Sequence, residues 1–158
     1  MRSFSAKVLA DALAPTLARW SQSRERSILR SGERLPEASI QFATELGIRS
    51  PESLRLEISE IIPSPIPPAL ITLASRLGIP LFSPAGMCLG RGISATSRDP
   101  GLIRHELVHT LQYQQLGGHR PFMWRYVYEI LKVGYVAAPL EIEARNRSAP
   151  NPTPSGPT

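Results

Sequence analysis

The chain reads as an α+β fold, and three observations carry that reading. Residues 100–116 place apolar side chains at helical spacing between a capping aspartate and a double glycine. Leu54–Ile61 alternates apolar and polar residues, the pattern of a half-buried strand. An aromatic-rich helical segment and then a proline-opened one follow residue 118. Together they predict a small mixed or antiparallel sheet, a backing helix, a central helix carrying two histidines, and a C-terminal helix carrying glutamates.

In chain order, helix is expected over 4–14 and again from Leu17 to Gly32, separated at Pro15. Pro36 opens a short helix to Leu46, which Gly47 closes. After the strand at 54–61, Pro63–Pro68 forms an extended connector whose last proline starts a helix through Ala69–Leu77. Leu70, Leu73, Ala74 and Leu77 keep helical spacing there, so that helix is core. Ile79–Phe82 and Met87–Ser94 read as short strands joined by a Pro-Ala-Gly turn. Gly90 and Gly92 permit close backbone approach or a bulge, but the Lys-Ser/Thr ending of a phosphate loop is missing. Asp99 caps the helix from Pro100 or Gly101 to Leu116, which Gly117-Gly118 stops. Pro121–Lys132 is an aromatic-bearing core helix ended by Gly134, and Pro139 opens the last helix.

Length and composition divide the chain into a basic helical N-terminal extension (1–35), one folded domain (36–147) and a disordered Pro-rich tail (148–158). At 158 residues and 42% hydrophobic content the chain supports one core. A single cysteine, Cys88, excludes an intramolecular disulfide framework and fits a reducing compartment; the expected location is cytoplasmic. No run reaches 18 apolar residues, so no spanning helix is expected. Of the net charge of +5, residues 1–34 account for +4, with seven basic and three acidic side chains. Such an arm suits an acidic partner, nucleic acid or an anionic membrane surface.

The residues with the most chemistry are His105-Glu106-Leu107-Val108-His109. Two of the chain's three histidines fall in this H-E-x-x-H window, the signature of zinc metallopeptidases. Positions 105 and 109 lie about 40° apart on a helix, one turn along the axis, so both imidazoles can meet one ion. Glu106 projects about 100° from His105, beside the ion, where it can act as general base towards a water the metal holds. Leu102, His109, Gln112 and Leu116 share the face of His105, while Ile103, Leu107, Val108 and Leu111 gather opposite. One side should then pack on the core and the other present the histidines to a cleft.

A catalytic zinc needs a third protein ligand and an open fourth position. The longer motif with a third histidine fails, because Gln112 and Gln115 stand at its Gly and His positions. Downstream candidates are His119, Glu129, Glu141 and Glu143. The segment Pro139–Asn146 is the most persuasive, since Glu141 and Glu143 sit in the first turns of its helix. Two residues apart, they point about 200° from each other, so one at most faces the metal. Glu143 is the expected ligand, Glu141 the second choice and His119 the third.

With Glu143-Ala144 at the head of a later helix, the H-E-x-x-H segment resembles the gluzincin group of zinc peptidases. More closely, it is similar to small bacterial minigluzincin-like domains carrying H-E-L-x-H and a later E-x-E-A. The resemblance covers residues 88–147 and is specific at these two motifs. It implies a zincin-like fold binding one zinc per chain through His105, His109 and Glu143, with Glu106 as base. The implied activity is hydrolysis of a peptide or protein substrate. Such domains add a Tyr or His that stabilises the oxyanion; Tyr113, His119, Tyr126, Tyr128 and Tyr135 are candidates. By the same resemblance, residues 88–96 edge the cleft and pair with the substrate backbone. Two alternatives stand beside this: an inactive zinc-stabilised binding or regulatory module, and a basic protein for nucleic acid or membrane surfaces with an incidental motif.

Overall fold

A computed structural model describes residues 2–65 and 84–149. The expected helix at Ala69–Leu77, the strand at Ile79–Phe82, the end of the Pro63–Pro68 connector and the tail beyond 149 lie outside the described residues. The elements are α1 (Arg2–Ser31), β1 (Glu33–Arg34), α2 (Glu37–Glu45), a 3-10 turn (Pro51–Ser53), β2 (Arg55–Ile58), β3 (Gly86–Leu89), β4 (Gly92–Ala95), α3 (Pro100–Leu116), α4 (His119–Val133) and α5 (Pro139–Ser148). The fold is α+β, with five helices and a four-stranded mixed sheet among the described residues. No helix among them is long and apolar enough to cross a membrane.

The sheet has the order β1-β2-β4-β3. β1 pairs antiparallel with β2, β2 parallel with β4, and β4 antiparallel with β3. Met87–Ser94 is therefore a hairpin and not one strand: Gly90, at φ 75°, turns the chain with Arg91, and Leu89 faces Gly92 across the ladder. β2 alternates as expected, with Leu56 buried and Arg55 and Glu57 on the other face, but pairing stops at Ile58 because β4 ends opposite, at Ala95.

α1 is one 30-residue helix with Pro15 inside it. The break expected at that proline is absent. A stripe of buried alanines, Ala6, Ala10, Ala14 and Ala18, carries the helix past the missing amide by packing against α4. The two helices run antiparallel, with Trp124 Nε1 donating to Asp11 Oδ1 at 2.7 Å and Ser21 Oγ meeting His119 Nδ1 at 2.8 Å. α1 also covers the polar face of the sheet: Arg24 donates to Glu57 at 3.1 Å, and Ile28 lies 3.0 Å from where a Cβ on Gly92 would stand. Residues 1–35, set apart in the sequence as an extension, thus supply the long helix and an edge strand.

α3 packs on the opposite, apolar face of the sheet. Ile103, Leu107 and Leu111 join Leu54, Leu56, Ile93 and Ala95, with Leu35, Ala43 and Ile48 closing the cluster. A second cluster, built on Cys88, Tyr113, Phe122 and Leu140, lies where α3 meets β3, α4 and α5. Tyr113 stacks on Phe122 at 3.7 Å between centroids, and Phe122 on Tyr126 at 5.6 Å. The aromatic residues of α4 are core, as their spacing predicts.

Candidate metal centre

Local signals place α3. Asp99 Oδ1 accepts the Leu102 amide at 2.8 Å, Pro100 occupies the first turn, and Gly117 ends the helix at φ 92°. The Gly118 amide reaches back to the Tyr113 carbonyl at 2.7 Å, closing the C-terminus. Within this frame His105 and His109 stand one turn apart, Nε2 to Nε2 3.1 Å. The face that carries them is not an open side of the helix: every residue from Glu106 to Tyr113 is buried, because α4 and α5 cover the flank away from the sheet. The His105 side chain is 19% exposed and that of His109 7%, so solvent reaches the pair past His105.

Glu141, not the expected Glu143, completes the group. Its Oε2 lies 3.3 Å from His105 Nε2 and its Oε1 3.4 Å from His109 Nε2. One ligand atom from each of the three residues lies within 4.8 Å of the others. Glu143 turns outward, accepting from Arg147 at 3.0 Å and from Gln112 Nε2 at 3.0 Å. The reason is how α5 docks: Leu140, Glu141 and Ala144 form its buried side, and the Leu140 backbone amide is held by Glu129 at 2.8 Å. That bond commits Glu129, also paired with Arg125, to structure. His119, the third choice, lies in a separate network with Ser21 and Glu25.

The donor set fits a divalent ion of the zinc type: two imidazole nitrogens and one carboxylate oxygen. Glu141 Oε2 is buried with no close hydrogen bond; its nearest donors are His105 Nε2 at 3.3 Å and Arg145 Nη1 at 3.8 Å, which makes it the least satisfied acceptor of the cluster. Burial alone would raise the Glu141 carboxyl, but hydrogen bonds with His105 and His109 hold it well below the ordinary carboxylate range. Burial would lower His109, yet the hydrogen bond to Glu141 and the charge of Glu106 raise it.

Glu106 is buried beside the histidines, and burial, with the nearby Glu141 charge, pushes its carboxyl up despite the opposing pull of His109 and His105. The Cys88 backbone amide hydrogen-bonds this carboxylate. Gly86 leaves the space it occupies: a Cβ there would fall 2.7 Å from Glu106 Oε1. The Cys88 thiol itself is fully buried and raised by desolvation, an inert core group bonded to Thr110 Oγ1 at 3.3 Å.

The expected substrate edge needs correction. β4 is paired on both sides, so residues 92–95 have no free ladder. Among the described residues β3 is the edge strand, and residues 85, 87 and 89 bond to β4, leaving the backbone groups of Gly86 and Cys88 facing outward. Cys88 is already engaged there: its amide meets Glu106 and its carbonyl accepts from Tyr113 at 3.4 Å.

Of the five candidate oxyanion residues, two reach the site. Tyr126 donates to Glu141 Oε1 at 2.8 Å, and Tyr135 also hydrogen-bonds Glu141. Burial and the Glu141 charge raise both phenols. Tyr113 bonds Ser21 and Cys88, and Tyr128 stacks on Trp124 at 5.2 Å. Sequence reasoning placed Gln112 on the histidine face without a role; its Oε1 meets His109 Nδ1 at 2.8 Å. Gly86, expected as the end of a Pro-Ala-Gly turn, is the first residue of β3, and its contact with Glu106 had no sequence signal because the two are distant in the chain. Compared with models of protein families, with curated proteins and with solved structures, the chain matches none.

Proposed function

We propose that the chain is a zinc-dependent peptidase of zincin-like type, with His105, His109 and Glu141 as ligands and Glu106 as general base. The observation that carries this reading is the meeting of three ligand atoms, two imidazole nitrogens and a buried Glu141 oxygen, with a second, non-ligating carboxylate, Glu106, beside them. Bound zinc would supply Lewis acidity to the scissile carbonyl and to the attacking water. Glu106 accepts a proton from that water as its oxygen joins the carbonyl carbon, then returns the proton to the departing amine as the C–N bond breaks. The Cys88 amide fixes the direction of the Glu106 carboxylate. Tyr135, on the turn before α5 and half-exposed, would turn its hydroxyl from Glu141 to the carbonyl oxygen, while Tyr126, deeper, orients Glu141.

The test pairs metal content with hydrolysis. Wild type purified without added metal should carry about one zinc per chain, as a single three-ligand centre requires. Glu106→Gln should keep the zinc and lose cleavage of a broad peptide library. A folded, zinc-loaded wild type that cleaves no member would sink the peptidase reading and leave a zinc-stabilised module. A folded wild type that takes up no zinc would sink both.

A further inference from the structure

We infer that Gln112 is a positioning residue: it fixes which nitrogen of His109 faces the metal and docks α5 so that Glu141 reaches it, with Glu143 as its anchor. The inference rests on reading His105, His109 and Glu141 as a metal site. It assigns work to two side chains outside the ligand set.

The argument is one of hydrogen-bond identity. A side-chain amide has an oxygen that only accepts and a nitrogen that donates twice. Gln112 Nε2 lies 3.0 Å from the Leu140 carbonyl oxygen and 3.0 Å from Glu143 Oε2, both pure acceptors, so both its hydrogens are used. Reversing the amide would set an oxygen against two oxygens at that distance. The orientation is therefore fixed by chemistry, and Oε1 stands 2.8 Å from His109 Nδ1. An oxygen there can only accept, so Nδ1 carries the hydrogen. The neutral ring then keeps its lone pair on Nε2, the nitrogen nearest His105 Nε2 and Glu141, as metal ligation by Nε2 demands, and only the protonated ring donates to Glu141.

The same side chain holds the third ligand. Leu140 precedes Glu141, and Glu143 follows it by two residues, so the two amide hydrogens grip the first turn of α5 on either side of Glu141. Gln112 is 1% exposed, so water does not substitute for these contacts. This also accounts for the Glu-x-Glu pair: Glu141 enters the cluster, and Glu143 fastens the residue that sets it. Arg147, at 3.0 Å, holds the other Glu143 oxygen.

The experiment reads the tautomer and the metal separately. Long-range proton–nitrogen correlation of the imidazoles in metal-free protein, at mildly alkaline pH, reports the His109 tautomer. Chelator competition reports zinc affinity. Wild type should show His109 as the Nδ1–H form. Gln112→Leu should lose that preference and bind zinc about 10- to 100-fold more weakly, the usual effect of removing such a partner. Gln112→Glu keeps an acceptor for Nδ1–H but loses both donors, so it should retain the tautomer and still weaken zinc. It also decides the matter if the leucine variant does not fold. Glu143→Gln, which retains an acceptor, should bind zinc as wild type does, and Glu143→Ala more weakly.

An Nε2–H form of His109 in wild type would overturn the inference. So would a Gln112→Leu protein with unchanged tautomer and affinity, or a Gln112→Glu protein with unchanged affinity. A wild type that takes no zinc yet shows the Nδ1–H form, lost in Gln112→Leu, would remove the metal reading while the tautomer assignment stood.

Discussion

Gly86→Ala tests whether the space beside the proposed base is set by the sheet. The new methyl would lie 2.7 Å from Glu106 Oε1, 3.1 Å from its Cδ and 2.9 Å from Leu102 Cδ1. Restoring an ordinary contact of about 3.4 Å moves the carboxylate oxygen by roughly 0.7 Å. The site is buried, so the shift costs overpacking of about 1–3 kcal/mol and strains the bond from the Cys88 amide. In a Glu106→Ala background the carboxylate is gone and only the Leu102 contact remains. The cost of the methyl should then fall by about 1 kcal/mol, a coupling in the range for touching residues. Urea denaturation of the four metal-free proteins of this cycle measures it directly. In the zinc-loaded protein, displacement approaching about 1 Å should lower hydrolysis at least about tenfold with metal content unchanged. Additivity of the two substitutions within about 0.5 kcal/mol would show that Gly86 does not set the carboxylate's position, and the reasoning would fail.

Three further outcomes are expected. Glu141→Gln should lose zinc in elemental analysis, whereas Glu143→Gln should keep it, since only Glu141 joins the histidines. Chelation should lower the melting temperature, and zinc at about 1,000 times Kd should restore about 4 kcal/mol of stability, read as a shift of the denaturation curve. Glu25 is held below the usual carboxylate value: burial opposes this, but His119 and the Arg91 amide outweigh it. A depressed carboxyl stabilises above its unfolded value and loses that contribution as pH falls through the folded one. Wild type should therefore lose about 1 kcal/mol relative to Glu25→Gln on acidification below pH 4.5, followed by urea midpoints across the acid range.

What could be read from the sequence was what depends on near neighbours. Asp99 and Gly117 bound α3 because a cap is a contact within one turn, and the two histidines converge because helical geometry alone sets their spacing. Pro15 misled because the gain that carries α1 past it comes from α4, more than a hundred residues away. The choice between Glu141 and Glu143 has a sharper cause. On α5, Leu140 and Ala144 define the buried direction, and at about 100° per residue each glutamate lies about 80° from it, one on either side. Helical phase cannot separate them. The side that turns inward depends on the docking of α5, where Glu129 takes the Leu140 amide and Gln112 the Leu140 carbonyl. The hairpin at Gly90-Arg91 was hidden for a related reason: Gly-Arg-Gly also suits a close approach, which Gly92 makes against Ile28.

The burial of α3 bears on why these residues suit a metal ion. Glu106, His109, Thr110, Gln112 and Tyr113 are all polar and all buried, within two turns of one helix. Polar groups removed from water cost free energy unless each finds a partner. Thr110 has Cys88 and the Glu106 carbonyl. Gln112 uses its amide in full, and Tyr113 bonds Ser21 and Cys88. The deficit that remains is local: two imidazole nitrogens 3.1 Å apart and a buried Glu141 oxygen whose nearest donors are His105 at 3.3 Å and Arg145 at 3.8 Å. Hydrogen bonding relieves this only in part, since a proton shared between the two nitrogens is not available to the carboxylate. A single divalent cation would satisfy all three at once.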